Sequence, residues 1–109
     1  MIAGDSLGQA ISQLNTLALD NNKIRTVDSE AFANLTSLTN LDMKTNNLES
    51  VPNIALQQLS SLKYLNLGEN LITHLALPGN PHLQSLVMEK NMITMIRNKG
   101  GSLNLRSND

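Results

Sequence analysis

Histidine, cysteine and paired carboxylates carry most catalysis and metal binding, and the chain offers few of them. Its two histidines, His74 and His82, have no second metal ligand at the i, i+4 spacing that would set both on one helix face. Neither stands near a serine and an aspartate at a spacing that suits a nucleophile and its base, so both are read as solvated loop residues. With no cysteine there is no thiol nucleophile, no disulfide framework and no Cys-based zinc site. The phosphate-cradling patterns GxxxxGK[ST] and GxGxxG and the zinc pattern HExxH are absent from the sequence. One carboxylate arrangement bears weighing: Asp20 and Asp42 fall at outward strand positions of neighbouring repeats, where a pair would hold a cation. No third carboxylate completes a cage and Lys44 lies two positions beyond Asp42 on the same face, so a charge-patterned binding surface is expected instead. Glu69 and Lys90 share a column in adjacent repeats, where an exposed ion pair is worth at most about 1 kcal/mol. No catalytic residue, metal or cofactor is predicted, and the chain reads as non-enzymatic.

Eight Lys and Arg against nine Asp and Glu give a net charge of -1, without the basic footprint of a nucleic-acid or anionic-membrane binder. Apolar runs extend only a few residues, short of the roughly 20 that span a bilayer, so neither a nucleic acid nor membrane insertion is expected. The partner that remains is a protein. At 109 residues there is room for one compact domain or a short run of repeated units. Twenty leucines and fifteen asparagines, against the two aromatics Phe32 and Tyr64, point to repetition.

The frame L-x-x-L-x-L-x-x-N-x-L indeed recurs four times: Leu14, Leu17, Leu19, Asn22, Ile24; Leu38, Leu41, Met43, Asn46, Leu48; Leu62, Leu65, Leu67, Asn70, Ile72; and Leu83, Leu86, Met88, Asn91, Ile93. The starting points lie 24, 24 and 21 residues apart. Three positions after each closing Ile or Leu come Val27, Val51, Leu75 and Ile96, and the first two repeats continue with Phe32 then Leu35, and Leu56 then Leu59. Over residues 14–98 the chain resembles the leucine-rich repeat family, in particular its 24-residue extracellular type.

Elementary geometry gives the frame its meaning. Alternation around Leu65-Asn66-Leu67 has period 2, so each repeat supplies a short strand with its leucines inward. The intervening residues return the chain to the starting edge, which makes neighbouring strands parallel. The resemblance implies an α/β solenoid, a right-handed leucine-rich repeat superhelix with short parallel β-strands on the concave face and loops or short helical turns on the convex face. It would be a single domain over 1–109: a partial preceding repeat or N-terminal cap at 1–13, repeats at 14–37, 38–61, 62–82 and 83–99, and a degenerate segment at 100–109. The 1–13 assignment rests on Leu7, Ala10, Ile11 and Leu14 at helical spacing behind Asp5 or Ser6. Leu103, Leu105 and Asn108 repeat the end of the frame, but too close behind Leu83 for a full turn. Asn22, Asn46, Asn70 and Asn91 stand where the chain leaves the strand, and their amides can satisfy backbone groups the turn leaves unpaired. The resemblance implies that this column forms a hydrogen-bonded ladder. Met43 and Met88 stand in for leucine at inward positions, while Met92 and Met95 fall outside the frame as a candidate apolar patch.

Outward positions are free to vary, and they assemble into columns: Thr16, Asn40, Tyr64, Ser85; then Ala18, Asp42, Asn66, Val87; then Asp20, Lys44, Gly68, Glu89, with Glu69 beside them. The family reads partners on the concave face, so these residues are the candidate binding site, with Tyr64 as its central anchor. The expected function is protein or ligand recognition within a larger receptor or adhesion protein. A structural spacer in a longer solenoid and an intracellular regulatory scaffold are the alternatives. Asn34-Leu35-Thr36 is the sole N-x-[ST] sequon, an N-glycosylation candidate that favours an extracellular or cell-surface location. No signal peptide is legible in the first five residues, and the thin C-terminal end should fray or recruit a second copy, as expected of a piece of a longer protein.

Overall fold

A computed structural model describes residues 13–76, 79–93, 95–97 and 104–105. In chain order its elements are β1 (Thr16–Ala18), β2 (Asn40–Asp42), the single helical turn α1 (Asn53–Leu56), β3 (Tyr64–Asn66), β4 (His74–Ala76), β5 (Ser85–Val87), β6 (Met95–Arg97) and β7 (Asn104–Leu105). One strand from each repeat enters a parallel sheet of order β1-β2-β3-β5-β7. Register follows the repeat frame, with Leu17 opposite Leu41, Leu41 opposite Leu65, and Leu65 opposite Leu86. At the start of each strand one carbonyl accepts two amides of the next repeat: Asn15 from Thr39 and Asn40, Thr39 from Lys63 and Tyr64, and Lys63 from Gln84 and Ser85.

Because side chains alternate across a strand, the middle residues of β1, β2, β3 and β5 point inward. Leu41, Leu65 and Leu86 are at most 2% exposed. Leu38, Leu62, Leu67, Leu48 and Ile72 close around them, with Met43 and Met88 filling leucine positions of the same core. On the opposite side the return segments make tight turns, such as Leu35 N–H to Phe32 C=O and Leu38 N–H to Leu35 C=O, and α1 completes one helical turn. Those turns bury Phe32, Leu35, Leu56 and Leu59. Chain connectivity, stacked parallel strands and a shared core make this a solenoid, in which each repeat buries its apolar face against its neighbours. Leu14, Leu17, Leu19, Ile24 and Val27 of the first repeat are only partly buried against that core.

Two features depart from the reading of the sequence. First, β4 and β6 form a second parallel pair, with Leu75 opposite Ile96, so His74 begins a strand and is not a loop residue. The second repeat has Pro52 at the position equivalent to Ala76, where the chain turns into α1, and adds no strand to the pair. Second, β7 pairs Leu105 with Leu86, whereas aligning Leu103, Leu105 and Asn108 on the frame would put Leu103 there. A two-residue shift keeps every side chain on its face, so the alternating pattern cannot distinguish the two registers. The helical spacing at Leu7, Ala10 and Ile11 and the segment Lys99 to Ser102 lie outside the described residues.

Candidate functional site

Strands β1, β2, β3 and β5 each end on a chain reversal, and the reversal sets both the ladder and the outer face. Asn21, Thr45, Glu69 and Lys90, each one residue before the frame asparagine, all have φ between 52° and 61°. This left-handed turn swings the next side chain inward. The amides of Asn21, Thr45 and Glu69 meanwhile continue the sheet by donating to the carbonyls of Lys44, Gly68 and Glu89 in the next repeat.

The inward asparagines reach back to the preceding repeat. Asn46 donates through Nδ2 to the carbonyls of Leu19 (2.9 Å) and Met43 (3.0 Å), and its Oδ1 accepts from the amides of Asn22 (3.0 Å) and Ile24 (2.9 Å). Asn70 donates to Met43, Leu67 and Gly68 and accepts from Leu48 N–H. Asn91 donates to Leu67 and Met88 and accepts from Ile72 N–H. The carbonyls of Met43 and Leu67 therefore each bridge two asparagines. Asn22 differs: it is exposed, and among the described residues it donates only locally, to Asp20 C=O. A ladder asparagine reaches one repeat backward, and Asn22 opens the first frame.

On the outer face the registers Thr16–Asn40–Tyr64–Ser85 and Ala18–Asp42–Asn66–Val87 bring eight of the candidate binding residues together. They line a shallow depression of about 360 Å³. Tyr64 is 45% exposed at its centre, while Phe32 is buried. Two of the eight also serve the fold: Asp42 Oδ1 accepts from Lys44 N–H and Asn66 Oδ1 from Gly68 N–H, both at 2.9 Å, closing the same side-chain turn at the end of adjacent strands. A Cβ on Gly68 would lie 3.1 Å from Asn66 Oδ1 and 3.4 Å from Glu89, so the glycine gives that turn its room.

Strands in register, joined at a constant offset by asparagines bonded across repeats, are the structural counterpart of the sequence frame. Residues 4–48 and 38–93 each match the sequence model of the family described as Leucine rich repeat. The chain belongs to the leucine-rich repeat family. Among curated proteins no match is found.

In this leucine-rich repeat protein the remaining candidate residues sit around the depression. Lys44 and Glu69 form an ion pair at 3.3 Å, so the partner of Glu69 is Lys44 on the strand-exit side and not Lys90. Asp20 accepts from its neighbour Asn21 (3.0 Å) and stands two residues beyond Ala18, which is the residue opposite Asp42. Met92 is 59% exposed and Leu71, at the equivalent position of the preceding repeat, is half-exposed, and the side chain of Met95 lies outside the described residues. Asn34 is exposed in a convex turn with φ 72°. One structural residue escaped the sequence reading: Asn80 occupies the place of Leu35 and Leu59 in its repeat and donates to the carbonyls of Leu56 (2.7 Å) and Leu59 (3.0 Å) at the end of the α1 turn. Its signal was an asparagine at a leucine position. Among the described residues no group of three His, Asp or Glu converges as a metal site, and no helix is long and apolar enough to cross a membrane.

Proposed function

We propose that the chain is a non-enzymatic recognition module that binds a protein through the outer strand face, as part of a larger receptor or adhesion protein. One observation carries the reading: four registered strands turn their central leucines toward the core while presenting Thr, Ala, Asn, Asp, Tyr, Ser and Val around one open depression. A rigid tyrosine surrounded by short, adaptable polar side chains is the composition of antibody-like binding surfaces, which are polar and hydrated. Only Asp42 and Asn66 of that set are also engaged in closing turns.

An extracellular or cell-surface setting completes the proposal, supported by the exposed sequon at Asn34 on the side away from Tyr64. With a partner in hand, Tyr64→Ala should weaken binding by at least about 2 kcal/mol with the fold intact, as loss of a central aromatic anchor does. Affinity that survives Tyr64→Ala and Asp42→Ala, but falls when the convex residues Glu30 or Gln57 are changed, would reject the strand face as the binding surface.

A further inference from the structure

Asp42 lines the same depression as Tyr64, and its two oxygens are used differently. Oδ1 accepts the Lys44 amide at 2.9 Å. Oδ2 has neither a hydrogen-bond donor nor an ion-pair partner among the described residues. The lysine closest in sequence, Lys44, is drawn to Glu69 at 3.3 Å. Asp42 thus presents an uncompensated carboxylate to the depression. The strand-exit rim around it adds to the sign of the field, with Asp20, Glu69 and Glu89 against Lys44 and Lys90. The exposed Lys63 stands at the opposite, strand-start side.

Tyr64 occupies the neighbouring strand one diagonal away, since Asn40 faces Tyr64 and Asp42 faces Asn66. Strand spacing and a two-residue step put such diagonal positions about 8 Å apart. A planar guanidinium bridges that distance, with its edge on the carboxylate and its face over the ring, within the roughly 6 Å at which a cation is attracted to an aromatic face. An ammonium is a point charge and satisfies one of the two.

We propose that the protein partner inserts an arginine side chain between Asp42 and Tyr64. This rests on the strand face being the binding surface and adds the chemistry that selects the partner. Asp42→Asn is a clean probe because Asn66 already closes the equivalent turn through its own Oδ1. That substitution removes the charge and keeps the strand exit.

The test selects random phage-displayed peptides on the full chain, then measures synthetic versions with arginine or the neutral isostere citrulline against the wild type, Asp42→Asn and Tyr64→Ala. Enriched peptides should share an arginine. Its replacement by citrulline should weaken binding about tenfold or more to the wild type, as loss of a charge-assisted bond does, and about twofold or less to Asp42→Asn. Peptides lacking a cation, or equally sensitive to citrulline on both proteins, yet lost on Tyr64→Ala, would overturn the arginine site and leave the strand face standing. Peptides indifferent to both substitutions, or no enrichment over a blank surface, would overturn both.

Discussion

Asn70→Leu puts an apolar side chain where the surrounding residues are leucine and isoleucine, so a purely hydrophobic account expects a gain in stability. The hydrogen bonds predict a loss. Asn70 is 4% exposed, and its Oδ1 is the acceptor for Leu48 N–H at 3.0 Å. Its Nδ2 donates to Met43 and Leu67 at 3.1 Å and to Gly68 at 3.0 Å. After substitution those three carbonyls keep a second donor, from Asn46, Asn91 and the Thr45 amide respectively. Leu48 N–H keeps none, and a buried unpaired amide costs about 1 to 3 kcal/mol. Each lost bond to a carbonyl adds about 0.5 to 1.5 kcal/mol, and the leucine offsets at most about 1.5 to 3 kcal/mol. The balance is a destabilisation of about 2 kcal/mol. Asn22→Leu is the control: the same column and the same change, but an exposed side chain with one local bond, so its effect should stay within about 0.5 kcal/mol. Urea denaturation followed by circular dichroism gives both values, and hydrogen exchange at the Leu48 amide should accelerate in Asn70→Leu alone. Equal midpoints for the two variants, or a raised midpoint for Asn70→Leu, would refute the ladder as a source of stability.

Leu65→Ala, at the centre of the registered core, should cost about 2 to 5 kcal/mol in the same melts; a loss below about 1 kcal/mol would contradict its packing. Thr45 is a β-branched residue at φ 57° in a column where Asn21 stands at 61°, so Thr45→Asn should stabilise by about 1 kcal/mol, because asparagine tolerates the left-handed turn. A lower melting midpoint for that variant would show the turn to be set by something else. Glu69→Gln removes a half-exposed ion pair and should change stability by less than about 1 kcal/mol, with the difference from the parent vanishing in high salt.

The repeat frame made the strand positions, their register and the inward residues legible, because a period of two inside a period of 24 leaves each leucine one side to face. It could not see which side chains meet on the surface. Glu69 has lysines within reach in both directions, and a column shows neighbours without showing the rotamer that turns Glu69 to Lys44. Position within the stack was equally hidden: Asn22 and Asn70 are identical in the frame, yet among the described residues Asn70 reaches a carbonyl of the preceding repeat and Asn22 reaches only Asp20 C=O. The β4–β6 pair was hidden as well, since Val27, Val51, Leu75 and Ile96 occupy one place in the frame and only the last two lie in paired strands. The hydrogen bonds that occupy Asp42 and Asn66 depend on side chains folding onto amides two residues ahead, which outward periodicity does not encode.

The most direct test of the strand face as the recognition surface places the photo-crosslinker p-benzoylphenylalanine at Tyr64 and, in a second protein, at the exposed convex residue Gln57. Both proteins are expressed in the source cells, irradiated and compared by mass spectrometry. A discrete protein adduct at position 64, absent at 57 and suppressed when Asp42→Asn is added, is the predicted result. An adduct at 57 with none at 64 would contradict the account.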